Sequence, residues 1–250
     1  MKVTNYTLQY QALPRTCKLA LASDLHGHPF EEITALLRSE LPDMILIPGD
    51  VMSDIDLRDE NAVGYAFLRE CASIAPTFYS LGNHELACYH KGNPWRHPTP
   101  IPLDQACIRR VRDCGVTYLD NDCVSLDGFT VCGLTSGINK KENKPNPDAL
   151  ARFANADGFR ILLCHHPEYF KPYIQSTSIE LTVSGHAHGG QWRVFGRGVY
   201  APGQGIFPKY TSGVVGNRLV ISRGLSNHSR VPRIFNSPEL VFITLERSTM

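Results

Sequence analysis

No apolar run in this chain is long enough to span a bilayer. The longest, such as Met44–Pro48 and Ile161–Cys164, are strand-length, whereas a helical span needs about 20 residues. The opening stretch, MKVTNYTLQYQALP, is polar and alternating, without the apolar core of a secretory signal. An excess of one charge is also missing. With 25 Lys and Arg against 24 Asp and Glu, the formal net charge is +1, so no general nucleic-acid or membrane surface is expected. Any attraction for phosphate must be local. No basic stripe interleaved with aromatics suggests a polymer substrate, so no nucleic-acid partner is expected. None of the eight cysteines forms a CxxC pair, and several sit inside apolar runs. That predicts buried free thiols rather than a disulfide framework, and a reducing, cytoplasmic setting. With no internal repeat and no convincing linker, residues 1–250 read as one domain.

What is present is an ordinary globular composition, 42% hydrophobic and 20% charged. Strand and helix patterns alternate through the first half. An edge strand is expected at 3–9, an apolar strand at 18–23 and a helix over 30–40 with Ile33, Leu36, Leu37 and Leu41 on one face. A buried strand at Met44–Ile47, a helix over 60–74 and a strand at Thr77–Leu81 follow. This order predicts right-handed crossovers and a largely parallel sheet, whose ligands bind beyond the carboxyl ends of the strands. Residues 88–102 read as a long surface excursion, and 103–114 as a helix. Shorter strands are expected at 116–119, 122–126, 129–134, 159–164, 179–184, 192–195, 218–223 and 239–246, enough for a second stacked sheet. Residues 196–217, rich in glycine, read as an ordered loop beside a site.

Five polar motifs sit where those strands end. Asp24-Leu25-His26 places a carboxylate and an imidazole two residues apart, on one side of an extended backbone, where they could share a metal. Asp50, after Gly49, has two oxygens and could bridge two cations. In Gly82-Asn83-His84-Glu85, Asn83 offers a carbonyl oxygen and His84 a proton for a leaving group. Of His165-His166, only one can enter the site, because neighbours in a strand face opposite sides; the other faces solvent or a supporting partner. His186 and His188, two apart and framed by glycines, read as metal ligands even in isolation. Each of the other motifs taken singly could be a turn or a helix cap.

In combination and order, DLH, GD, GNHE, H and GHAH resemble the calcineurin-like metallophosphoesterase superfamily, with no element of its pattern missing. GHAHGGQ, then SRGLSN and SPEL, resemble a bacterial YkuE-like subgroup that includes membrane-associated phosphoesterases and UDP-diacylglucosamine pyrophosphatases. The resemblance implies an α/β fold, a four-layer α/β/β/α sandwich of two stacked mixed sheets flanked by helices. It also implies two divalent ions, one held by Asp24, His26, Asp50 and His188, the other by Asp50, Asn83, His165 and His186. His165 is chosen over His166 because the family ligand comes first in an H-x-P-(D/E) segment. A donor set without thiolate suits Mn, with Fe or Zn as alternatives. Two such ions lie about 3.5–4 Å apart and supply hydroxide near neutral pH, which would attack phosphorus directly while His84 serves the leaving oxygen. Many relatives carry an acid three residues after the bridging aspartate; here that position is Ser53, so Asp54 or Glu85 is left to orient His84.

The function expected is hydrolysis of a phosphate mono- or diester on a small phosphorylated substrate. A pyrophosphohydrolase on a nucleotide- or lipid-linked substrate is the alternative. Cyclic-nucleotide diesterase, nuclease and non-catalytic scaffold rank below it. A lipid substrate would need an apolar channel, for which Trp95, Phe207 and Tyr210 are candidate walls; the missing anchor weighs against it without excluding peripheral membrane contact. Arg223, at a strand end, is a candidate phosphate contact.

Overall fold

The computed structural model describes residues 1–52, 59–89, 105–136, 144–227 and 231–248. The excursion expected at 88–102, together with Asp54 and Trp95, lies largely outside them. Five early strands, β1 (Lys2–Tyr10), β2 (Cys17–Leu21), β3 (Met44–Ile47), β4 (Thr77–Tyr79) and β5 (Thr117–Tyr118), build one sheet. The next four, β6 (Asp122–Leu126), β7 (Phe129–Leu134), β8 (Phe159–Cys164) and β9 (Leu181–Ser184), begin a second. Two small hairpins follow, β10 (Arg193–Val194) with β11 (Arg197–Gly198), and β12 (Tyr200–Ala201) with β13 (Gly205–Ile206). Strands β14 (Gly213–Val215) and β15 (Leu219–Ile221) complete the second sheet, and β16 (Glu239–Arg247) returns to the first, between β1 and β2.

Both sheets have six strands and both are mixed. The first runs β1-β16-β2-β3-β4-β5 and the second β14-β15-β9-β8-β7-β6. Strands β2 to β5 are parallel, as are β7, β8, β9 and β15, so their carboxyl ends face a common edge. The facing sides pack through Leu19, Leu21, Met44, Leu46, Phe129, Ile161, Val183 and Ile243. Burying each aliphatic side chain contributes roughly 1.5–3 kcal/mol. Helices α1 (Glu31–Glu40), α2 (Val63–Ile74) and α4 (Gln105–Asp113) cover the outer face of the first sheet, while α3 (Asn83–Tyr89) follows β4. Helix α5 (Pro147–Ala154) and the turns at 167–174 cover the second. The result is the four-layer α/β/β/α sandwich. None of these helices is long and apolar enough to cross a membrane.

Four local expectations change. Leu41 is not on the buried face of α1; it ends that helix in a left-handed conformation and is exposed. Helices α3 and α5 were not legible by period, having only seven and eight residues. Helix α5 is instead signalled by Asn146, whose side chain caps the N–H groups of Asp148 and Ala149, and by Pro147 in the first turn. The 196–217 loop contains the second hairpin, one strand of the first and β14. Among the described residues the cysteines divide: Cys17, Cys71, Cys107, Cys114 and Cys164 are buried thiols outside any disulfide, but Cys123 and Cys132 face each other across β6 and β7 as a disulfide.

Just beyond the strand ends, backbone hydrogen bonds tie the first loop residues to one another. Asp24 and His26 donate their N–H groups to the carbonyls of Gly49 and Asp50, extending the β2–β3 pairing into both motifs. Gly49 has φ +111°, and a Cβ there would lie 2.2 Å from the backbone nitrogen of Gly82. The backbones of the second and third motifs touch at that point, which only glycine permits. We expect Gly49→Ala to cost at least about 2 kcal/mol, read from the urea-unfolding midpoint; an unchanged midpoint would contradict this packing.

Candidate metal centre

Asp24 follows β2, Asp50 follows β3, Asn83 follows β4, His165 follows β8 and His186 follows β9, so the topology alone carries all five to one edge. Asp24, His26 and His188 present ligand atoms within 4.8 Å of one another, and Asp50, His165 and His186 form a second such group. In the first, His26 Nε2 lies 3.2 Å from His188 Nε2, and His188 Nε2 lies 3.5 Å from Asp24 Oδ1. In the second, His165 Nε2 lies 3.0 Å from Asp50 Oδ2 and 3.1 Å from Asn83 Oδ1. Asp50 belongs to both neighbourhoods, because the same Oδ2 is 3.9 Å from His26 Nε2. His84 sits beside them: its backbone N–H donates to Asp50 Oδ1 at 2.8 Å, and its ring meets that of His26 edge-on at 4.7 Å.

The donor chemistry fits a cation. His165 Nδ1 is 3.0 Å from the carbonyl of Pro48, which can only accept, so the ring's proton resides there and Nε2 faces Asp50 and Asn83 as a bare lone pair. Three acceptors crowded at about 3 Å repel one another unless positive charge lies between them. In the bare protein a proton can fill that role. Burial alone would lower the His165 pKa, yet the Asp50 charge and hydrogen bond raise it to about 9. Burial also works against the Asp50 anion, but His165, His84 and His26 hold it well below the usual carboxylate range. His186 behaves oppositely. Burial and its imidazole neighbours keep it neutral, and its Nε2 has no hydrogen-bond partner among the described residues.

A buried carboxylate holds these parts in register. Glu85 Oε1 accepts the N–H groups of Val51 (2.6 Å) and Met52 (3.2 Å), and Oε2 those of Asp50 (2.9 Å) and Gly82 (2.8 Å). Its four acceptor contacts are therefore spent on the backbone, which removes it as the acid that orients His84. The other candidate, Asp54, lies outside the described residues.

The family model of calcineurin-like phosphoesterases matches residues 17–190, well over half of the chain. The chain belongs to the calcineurin-like phosphoesterase family. It is 28% identical to a metallophosphoesterase of Helicobacter pylori over 199 residues, covering 76% of this chain and 49% of that protein. It is also 28% identical to phosphodiesterase YaeI of Escherichia coli over 189 residues, or 71% of this chain and 62% of YaeI. The chain thus spans about half to three-fifths of the length of these relatives. Among solved structures, TT1561 of Thermus thermophilus aligns over 68% of this chain and 81% of its own, with a TM-score of 0.46 at 16% identity.

Members of this family use divalent metal ions, and the two side-chain groups here are candidate holders of them. Several sequence expectations about the site need correction. Asp24 and His26 do not converge through extended backbone; both are left-handed, at φ +59° and +51°. For His166 the second of the two alternatives holds, a supporting partner in place of solvent. His166 is buried, pairs with Glu168 at 3.1 Å and packs its ring against those of Tyr169 and His186. Arg223 lies 3.7 Å from Glu239 and does not line the cavity beside the cluster. Tyr210 is buried in the outer core of the second sheet and Phe207 is exposed elsewhere, so neither walls the cavity. The cavity beside the cluster, about 530 Å³, is bordered by Asp50, Asn83 and His84 on one side and by Trp192, Tyr200 and Val231 on another.

One residue at the centre was missed altogether. Arg233, half-buried, lies 2.9 Å from His188 Nδ1 and donates to the carbonyls of Arg223 and Ser226. Burial lowers its pKa to about 10. Arg233 therefore ties His188, the last of the candidate ligands, to the returning chain. No spacing signal could have placed it there, since it is 45 residues from its partner.

Two substitutions test the arrangement. Asp50→Asn should reduce the content of both ions together, measured by elemental analysis after metal loading, and retention of both would deny the aspartate its shared position. Glu85→Gln turns two N–H donors towards backbone N–H groups that need acceptors. It should cost about 2–4 kcal/mol of unfolding free energy, and a wild-type melting curve would refute the role assigned to Glu85.

Proposed function

We propose that this chain hydrolyses a phosphate ester, mono- or diester, in one displacement by water, with no phosphorylated enzyme. Asp24, His26, Asp50 and His188 would hold one divalent ion, and Asp50, Asn83, His165 and His186 a second. The observation that carries the reading is the position of Asp50, whose Oδ2 faces His165 at 3.0 Å and His26 at 3.9 Å while Oδ1 is fixed by the His84 N–H. The bound ions would supply water activated near neutral pH and positive charge for the phosphoryl oxygens. Mn is our first choice, with Fe or Zn also suited to this nitrogen and oxygen set.

The chain's own groups do the rest. Asp24 Oδ1 and Oδ2 accept the N–H of His186 at 3.0 and 3.2 Å, which locks the two sheets' contributions together before any substrate arrives. His84 borders both Asp50 and the cavity, so its ring is placed to give a proton to the departing oxygen. Trp192, Val199, Tyr200, Pro202 and Val231 offer an apolar wall to whatever organic group the ester carries. The relative YaeI is a phosphodiesterase, which agrees with the diester form. The same wall favours a second reading, a pyrophosphohydrolase whose substrate carries a nucleoside or lipid. The five buried thiols outside any disulfide among the described residues support a reducing cytoplasm, with Cys123–Cys132 as the opposing observation.

The decisive assay offers metal-stripped, Mn-reloaded protein an aryl phosphodiester, an aryl monophosphate and a nucleotide pyrophosphate. Hydrolysis of at least one should appear with Mn and vanish on chelation; silence on all three abandons the reading. His84→Ala should lower kcat about 10²-fold while both ions stay bound, and full turnover would remove His84 from the chemistry.

A further inference from the structure

Between Glu180 and Glu239 the sequence contains no Asp or Glu, yet it holds Arg193, Arg197, Lys209, Arg218, Arg223, Arg230 and Arg233. A chain of net charge +1 therefore has its excess of positive charge in one stretch, although most of its Lys and Arg lie elsewhere among acids. Most of the exposed large hydrophobic side chains among the described residues fall in the same stretch. Phe195, Phe207 and Phe235 are 101%, 74% and 87% exposed. All three are left-handed, at φ +48°, +50° and +52°. A bulky residue in that conformation is strained, and glycine or asparagine would relieve it. An aromatic ring that packs against nothing gives the fold no return for the strain.

These residues form a common face. Arg193 donates its N–H to the carbonyl of Ile234, Trp192 Nε1 donates to the carbonyl of Pro232, and Phe207 donates its N–H to the carbonyl of Val199. Phe195, Phe235, Arg193 and Arg223 line one groove, and Arg197, Phe207 and Lys209 line the next. The cavity beside Asp50 is bordered by Trp192, Tyr200 and Val231 of the same stretch, so its mouth opens in this face.

We propose that this face docks on an anionic lipid membrane, with the Phe195, Phe207 and Phe235 rings inserted at the interface and Arg197 and Lys209 against the headgroups. Exposed aromatic tips flanked by basic residues are the combination that peripheral insertion requires. Nucleic acid fits less well. The exposed set includes Val194, Ile206 and Ile234, which cannot stack on bases. Several of the cations are also already turned inward, Arg193 and Arg218 onto backbone carbonyls and Arg223 towards Glu239. A second copy would bring like charge against like.

Sedimentation with vesicles tests this without reference to catalysis. The protein should pellet with phosphatidylcholine vesicles containing phosphatidylglycerol, less with phosphatidylcholine alone, and less as salt rises. The double variant Phe195→Ser/Phe235→Ser should bind about tenfold more weakly, and Arg197→Glu/Lys209→Glu should lose the preference for the anionic lipid. None of the four borders the metal cavity, so hydrolysis of the soluble aryl diester should persist in both. No pelleting of the wild type, or equal binding by the phenylalanine variant, overturns the proposal. Retention on single-stranded DNA without vesicle binding, or a dimer that the phenylalanine changes dissolve without vesicle binding, overturns it in favour of those partners. Vesicle binding by a protein that hydrolyses nothing would sustain docking while the phosphoesterase reading fell.

Discussion

Four backbone N–H groups pointing at one buried carboxylate decide where everything else at this centre can be. Glu85 gathers amides from Asp50, Val51 and Met52 in one loop and from Gly82 in another. Hydrogen bonds to a charged group contribute about 1.5–3 kcal/mol each, and burying the carboxylate costs several kcal/mol. Burial and the Asp50 charge accordingly press its pKa upward while the amides press it down. Gain and cost are of the same size, so Glu85 is better understood as a positioning device than as a source of stability. What it fixes is the Asp50 main chain, and through it the one carboxylate that faces both groups of ligands.

The second constraint is backbone strain. Asp24, His26, Asp50, His186 and His188 all have positive φ, between +45° and +65°. Such conformations cost roughly 1–3 kcal/mol apiece and persist only where surrounding structure over-determines them. Here the surroundings are identifiable. The Asp24 and His26 amides are held by Gly49 and Asp50, the His186 amide by the Asp24 carboxylate, and the His188 carbonyl by Asn236. Each ligand loop is braced by another ligand loop. Gly185 makes the closest of these approaches possible, since a Cβ there would lie 2.0 Å from the Ser23 hydroxyl and 2.1 Å from Asp24.

That bracing explains which parts of the structure were legible in the sequence. Short apolar runs marked the strands, and the polar motifs directly after them marked the edge where Asp24, Asp50, Asn83, His165 and His186 meet, because parallel topology does the gathering. The side-chain geometry was not legible. Asp24 and His26 come together through left-handed turns that depend on a loop some 24 and 25 residues away, not through the alternation of an extended strand. Glu85 looked like a partner for its neighbour His84, whereas its carboxylate serves backbone amides that no side-chain pattern records. Arg233 reaches His188 only after the chain has built β15 and passed between the sheets. Helix α5 was missed because eight residues carry too little periodicity, although Asn146-Pro147 was there to be read as a cap.

Net charge is a property of the whole chain. A value of +1 correctly describes the whole surface and says nothing about how it is divided. Screening at physiological salt falls off over about 8 Å, so an approaching surface responds to the patch it meets and not to the sum. Within the acid-free stretch from 181 to 238, Trp192, Tyr200 and Val231 border the cavity while Arg193, Arg197, Lys209 and Arg223 line the two neighbouring grooves. The grooves attract an anionic group, whereas Asp24 and Asp50 repel it until cations neutralise them. On the proposed reading, a phosphate ester would be drawn to this face in any state of the protein, but would settle beside Asp50 only with the candidate ion sites filled.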